Sequence, residues 1–297
     1  MSPRFDLASW SADRLARVEQ ALSDWVVADA PAGLGEAMRY AVLDGGKRLR
    51  PMLVFAACEA AHGNERAALR AACAAELIHA YSLVHDDLPC MDNDILRRGK
   101  PTVHVKYGQA QALLAGDALQ ALAFELLVPD DEGVPEAVQA ALCRLLARSA
   151  GHDGMAGGQA IDLASVGHVL TQTQLREMHR RKTGALLQGS VMMGAACGAT
   201  TPAAHAALQE YGAAMGLAFQ VVDDMLDVTA DPIALGKTVG KDAAQSKPTY
   251  VSLLGLERSR EYALELLDEA LRALARSGLP DTRALHALAM MVVHREN

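Results

Sequence analysis

Apolar residues recur along most of the chain at spacings of three and four, the period of helices that bury one face. In SADRLARVEQALSDWVV, Leu15, Val18, Leu22 and Val26 form such a stripe, which predicts an amphipathic helix from Ser11 to about Val27 with Ser11 as N-cap. A second helix is expected near Leu34 to Leu43, ended by Asp44-Gly45-Gly46. A third opens at LRPMLVFAACEAA, where Pro51 falls in a first turn that can accept it. A long helix runs from about Glu65 to His85, and two more cover Gln109 to Val128 and Pro135 to Ala150, parted by the turn PDDEGVP. No charge interrupts Gly184 to Gln209. Its glycines, alanines, hydroxyl residues and Pro202 fit a packed core helix ending near Gly198 and another starting at Pro202, with Arg180 to Thr183 opening the first, and not a membrane span. The helix through GLAFQVVDDMLDV and the final helices, Thr249 to Arg276 and Thr282 to Val293, complete an all-α pattern.

Composition points the same way. Of 297 residues 51% are hydrophobic but only 4% aromatic, a balance that favours helix-on-helix packing over sheets. No stretch has the character of a linker, so residues 1–297 read as a single domain. The net charge of −8 argues against nonspecific nucleic-acid binding and leaves any basic groups to act locally. Five cysteines without a CxxC pair fit reduced thiols in a cytoplasmic protein. MSPRFDLASWSADRL carries Asp6 and Asp13 where a secretory signal would need an unbroken apolar run.

The chemistry concentrates in a few stretches. LIHAYSLVHDDLPCMDNDILRRGKP sets Asp86, Asp87 and Asp92 after an apolar helix and before Arg97 and Arg98. In a straight helix Asp86 and Asp92 would differ by about 240°. Pro89 breaks the helix between them and lets the chain turn Asp92 back toward Asp86. His79, about 10 Å up the axis, projects from the same side as Asp86. Gly45-Gly46 beside Lys47, Arg48 and Arg50, at the start of a helix, has the character of an anion cradle. The four glycines of GHDGMAGGQAIDL suggest close helix packing, with Gln159 and Asp162 following. In the second acidic stretch Asp223 and Asp227 lie one turn apart on one face, Asp224 is about 100° away, and Gln220 precedes Asp224 by a turn. Lys237, Lys241 and Lys247 follow on a glycine-punctuated loop able to close over a phosphate. Two separated carboxylate clusters suit hard divalent cations that hold a diphosphate. Uncharged helix walls suit a greasy tail. Ionisation of an allylic diphosphate is the chemistry that fits.

The segments GGKRLRP (residues 45–51), Asp86-Asp87-x4-Asp92 with Arg97-Arg98-Gly99, Lys182-Thr183-Gly184, and GLAFQ followed by Asp223-Asp224-x2-Asp227 resemble the trans-isoprenyl diphosphate synthases, over about residues 35–257. The resemblance implies an all-α bundle around a deep central cavity, a homodimer, isoprenyl diphosphates as substrates, and about three magnesium ions held partly by substrate phosphates. It makes Asp86, Asp87, Asp92, Asp223 and Asp227 the metal ligands. It assigns the allylic diphosphate to Arg97, Lys182, Lys237 and Lys247, and isopentenyl diphosphate to Lys47, Arg50, His79 and Arg98. Thr183 and Gln220 would line the site of the cation, and Tyr81 and Ser82, upstream of Asp86, would set product length. A bulky Tyr81 is similar to bacterial farnesyl diphosphate synthases, while DDLPCMDNDILRRGKPT is equally like geranylgeranyl synthases. Ile95 departs from the pattern, standing where an additional acid is common. Terpene cyclases are disfavoured by the intact second aspartate motif. A metal-dependent phosphohydrolase through His85-Asp86 and a non-catalytic subunit are the remaining alternatives.

Overall fold

Helices carry nearly all of the described chain, residues 5–43, 45–130, 133–229 and 248–295 of a computed structural model. The organising element is α4 (Glu65–Asp86), whose alanines, Leu77, Ile78 and Val84 are buried around most of the circumference. A helix apolar on every side belongs in a core. Its N-cap, Asn64, accepts hydrogen bonds from the Arg66 and Ala67 amides (2.9 and 3.0 Å). Around α4 pack α1 (Leu7–Trp25), α2 (Leu34–Val42), α3 (Leu49–Ala60), α6 (Gln109–Leu127), α7 (Glu136–Ala150) and α10 (Ala185–Ala196). α11 (Pro202–Thr229) runs beside α10 and against α13 (Leu256–Arg276), while α5 (Val103–Tyr107), α8 (Met155–Ala164), α9 (Gln172–His179), α12 (Tyr250–Leu254) and α14 (Arg283–Val293) close the gaps. The all-α class expected from the pattern is the class observed.

Two local expectations are corrected, and one element is added. The first helix begins at Leu7 with Asp6 as N-cap, its carboxylate accepting from the Ser9 amide at 3.1 Å, and Ser11 sits inside it with its hydroxyl on the Ala8 carbonyl. Tertiary contacts hold that added turn: Trp10 Nε1 donates to Glu59 on α3 at 2.8 Å. Arg180 to Thr183 do not open a helix. They lie in a π-helical segment, Arg180–Gly184, that joins α9 to α10 without a break, so no helix dipole opposes their charges. After Asp92 the chain forms a small hairpin, Leu96–Arg97 paired with Lys100–Pro101, on an Arg98-Gly99 turn with φ of 52° and 76°. Two positive φ values are the type I′ signature, and two-residue strands leave no alternation to read.

Two helices, α4 and α6, are long and apolar enough by composition to cross a membrane. In α4 that apolar surface is mostly consumed by the core, whereas α6 leaves Leu113 and Leu114 half exposed (47% and 52%).

Candidate active site

α4 ends at Asp86, and the bend expected from Pro89 follows at once. The Asp92 amide donates to the Asp86 carbonyl at 2.8 Å, which returns Asp92 to the end of the helix. Burial pushes the Asp86 carboxyl up to about 6; Lys182 and Arg97 pull it down and Asp92 and Asp87 push it further up. A carboxylate held this way gains from any nearby positive charge.

Asp87, expected among the metal ligands, is held here in an ion pair. It is 2% exposed and accepts a forked pair of bonds from Arg97, Nη2 to Oδ1 at 2.6 Å and Nε to Oδ2 at 2.9 Å. The physical reason lies in the helix: Asp87 points about 100° away from Asp86 and meets the hairpin that carries Arg97. The forked pair fixes the orientation of the Arg97 guanidinium. A recess on this side of α4 is lined by His79, Leu83, Asp87, Arg97 and Arg98.

Arg98 reaches the Gly-Gly turn, its Nη1 donating to the Gly45 carbonyl, so hairpin and turn form one rim. Of the cations beside that turn, Lys47 is exposed, whereas Arg48 is withdrawn into ion pairs with Glu19 and Glu76 and is no anion ligand. Arg50 has a buried Nε with no hydrogen-bond partner, and it feels both Glu76 of α4 and Asp223 of α11. One guanidinium thus stands between the two acidic helices. His79 is held well below its ordinary range, first by burial and then by Arg50 and Arg98, so its ring is neutral at neutral pH.

The π segment supplies the opposite wall. Lys182 Nζ donates to Asp162 of α8 at 2.5 Å, and the same ammonium is felt by Asp86. Glycines permit this crossing: a Cβ at Gly158 would lie 2.0 Å from the Lys182 nitrogen, and one at Gly216 would lie 2.6 Å from Gly184 Cα. Thr183 Oγ1 donates to Gln220 Oε1 (2.9 Å), and Gln220 Nε2 donates to Asp224 Oδ1 (2.8 Å). Asp224 is buried and also accepts from the Tyr250 amide at 2.8 Å, so it is committed to holding Gln220 and α12. Asp223 and Asp227 are left on the partly open face of α11. Arg295 meets Asp223 there, a contact that nothing in the residue pattern signals. Asp162 is the other residue the pattern underweighted; its signal is a lone acid in an apolar, glycine-rich helix.

Tyr81 is buried with its ring edge-on to His85 (centroids 5.6 Å), and Asp86 raises the phenol pKa after burial does. Ser82, one turn before Asp86, bonds to the His79 carbonyl. Lys237 and Lys247 lie outside the described residues.

Among the described residues no three acidic, histidine or cysteine side chains converge on one point. The donors available, Asp86 with Asp92 and Asp223 with Asp227, are pairs of carboxylates. That set fits ions that take one or two carboxylates from the protein and complete their shell with phosphate oxygens and water.

The sequence matches the polyprenyl synthetase family over residues 31–281. It is 50% identical to a probable farnesyl diphosphate synthase of Bradyrhizobium diazoefficiens, over 91% of this chain and 82% of that protein. It is 45% identical to the chloroplastic geranylgeranyl pyrophosphate synthase of Capsicum annuum, over 99% and 80%. A geranyltransferase from Helicobacter pylori, solved with magnesium and isoprenyl diphosphate, superposes with a TM-score of 0.84 at 35% identity, covering 99% of this chain and 98% of that one.

Proposed function

The chain belongs to the polyprenyl synthetase family and is a prenyltransferase of the trans-isoprenyl diphosphate synthase type, and from that premise we propose that it makes farnesyl diphosphate. Isopentenyl diphosphate is condensed with dimethylallyl or geranyl diphosphate. The observation that carries this reading is the set of cations around the two acidic stretches: Arg97 and Lys182, each held by a buried acid, both act on Asp86, and Arg50 feels Asp223.

In this reading Asp86 and Asp92 hold magnesium on one side and Asp223 and Asp227 on the other. Bound magnesium neutralises charge on the diphosphate as it leaves. Arg97, fixed by Asp87, and Lys182, fixed by Asp162, take the allylic diphosphate; Lys237 and Lys247 are assigned to it by family resemblance. Lys47, Arg50, Arg98 and the neutral His79 ring hold isopentenyl diphosphate. The Thr183 and Gln220 oxygens face the developing allylic cation, and apolar walls keep water from it. The proton lost after condensation passes to the departing diphosphate.

Tyr81 supports the farnesyl product, because a buried phenol one turn above the acids limits the room for a growing tail. Product analysis decides between farnesyl and the longer product named for the pepper relative. Wild type is expected to stop at fifteen carbons, and Tyr81→Ala to shift most product to twenty or more. Unchanged length in that variant removes Tyr81 from the floor, and a twenty-carbon wild-type product overturns the farnesyl assignment. No product from either starter with magnesium would refute catalysis altogether.

We further propose a cytoplasmic homodimer acting as one domain, using the half-exposed α6 face around Leu113 and Leu114. The five cysteines are free, which suits a reducing compartment. Leu113→Glu with Leu114→Glu is expected to halve the mass measured by light scattering. A double variant that keeps the wild-type mass places the interface elsewhere, and a monomeric wild type rejects the dimer.

A further inference from the structure

α14 packs on α11, and after Val293 the chain folds back onto the same helix. Arg295 Nη2 donates to the Phe219 carbonyl at 3.0 Å and to Asp223 Oδ1 at 3.2 Å. Its guanidinium lies 4.1 Å from the centroid of the Phe219 ring, a cation–π contact. The side chain is 10% exposed, and its Nε is buried without a partner. Arginine stays charged even where burial lowers its pKa, as here against Asp223.

This is a full positive charge on one of the two carboxylates assigned to the second ion site. A hard divalent ion binds a carboxylate oxygen at about 2.1 Å, which would bring it close to the guanidinium with little solvent between them. The docked pose is also one the side chain can leave, because undocking returns the orphaned Nε to water. We propose that Arg295 is a resident counter-ion of the second acidic cluster, competing with the divalent cation for Asp223, so that ion binding releases the segment after α14. By linkage, docking of that segment weakens the ion to the same degree. The inference rests on the reading of Asp223 as an ion ligand.

Manganese(II), titrated into the full chain without substrate and followed by paramagnetic resonance of the free ion, tests it. R295Q is expected to lower the dissociation constant about two- to fivefold, the range for a partly exposed charge pair. R295K, which keeps the charge, should stay near wild type. In the D223N background the effect of R295Q should vanish. Deuterium uptake across residues 290–295 should rise when manganese saturates the wild type. Equal or weaker binding by R295Q, with D223N still weakening the ion, overturns the inference while leaving Asp223 a ligand. Wild-type affinity in D223N removes Asp223 from the ion site and takes the inference with it.

Discussion

Replacing Asp86 by Asn is expected to lower kcat about 10²- to 10³-fold, the scale for losing one preorganised stabiliser of developing charge, while leaving the ion-free protein at least as stable. The two halves of this prediction share one cause. Burial pushes the Asp86 carboxyl up to about 6, against an ordinary aspartate near 3.9. A group whose folded pKa is raised binds its proton more tightly in the native state. Its contribution to stability is complete below the unfolded value and is lost as pH rises through about 6. At pH values above 7 the bare carboxylate is therefore a net cost to the fold, offset only when a cation binds. Asn removes the cost and the ligand together. Thermal melts without divalent ions at pH 5 and pH 7.5 should show wild type losing ground to Asp86→Asn as pH rises, with magnesium and diphosphate restoring the wild type alone. Retained kcat, or a variant that melts earlier at pH 7.5, would rule this account out.

The same residue shows how much of the site was readable. Aspartates after a long apolar helix, broken by Pro89, are local features, and the turn that returns Asp92 to Asp86 follows from proline lacking an N–H. The helices α4, α6 and α11 were legible because each has a long apolar pattern with a polar or proline start. What escaped depended on partners distant in sequence. Asp87 and Asp86 are indistinguishable as letters, and only the hairpin that brings Arg97 to Asp87 gives the two carboxylates different surroundings. Lys182 carried no sign of Asp162, twenty residues earlier, because the pairing is made by α8 crossing the π segment at Gly158. The Arg180 to Thr183 stretch conceals its geometry for a related reason. A run of cations resembles a helix boundary, yet the backbone passes through it by changing from α to π geometry, a change with no residue signature. Arg48 was the most misleading, one of three cations beside a glycine turn but wholly withdrawn from it.

Arg48→Met is accordingly expected to act on stability more than any other change beside the turn. Its side chain is 2% exposed and every guanidinium nitrogen donates: Nε to Glu19 Oε1 at 2.7 Å, Nη1 to Glu76 Oε1 at 2.7 Å, and Nη2 to the Val42 carbonyl at 2.7 Å. These bonds tie α1, α4 and the end of α2 to the N-cap of α3, itself in a left-handed conformation (φ 44°). Methionine would fill much of the volume but strand Glu76, whose side chain is 4% exposed. Breaking a buried pair by removing one partner costs about 3–5 kcal/mol. Glu19, 40% exposed, recovers in water and adds little to that figure. For a chain of this length the melting temperature should fall by roughly 5–8 °C. Arg48→Met combined with Glu76→Met tests the cause: removing both charges should recover most of the loss, since an apolar pair of similar volume is often no worse than the ion pair it replaces. If the double variant is no more stable than Arg48→Met alone, the stranded carboxylate is not what destabilises it, and the lost Val42 bond at the base of the Gly-Gly turn is.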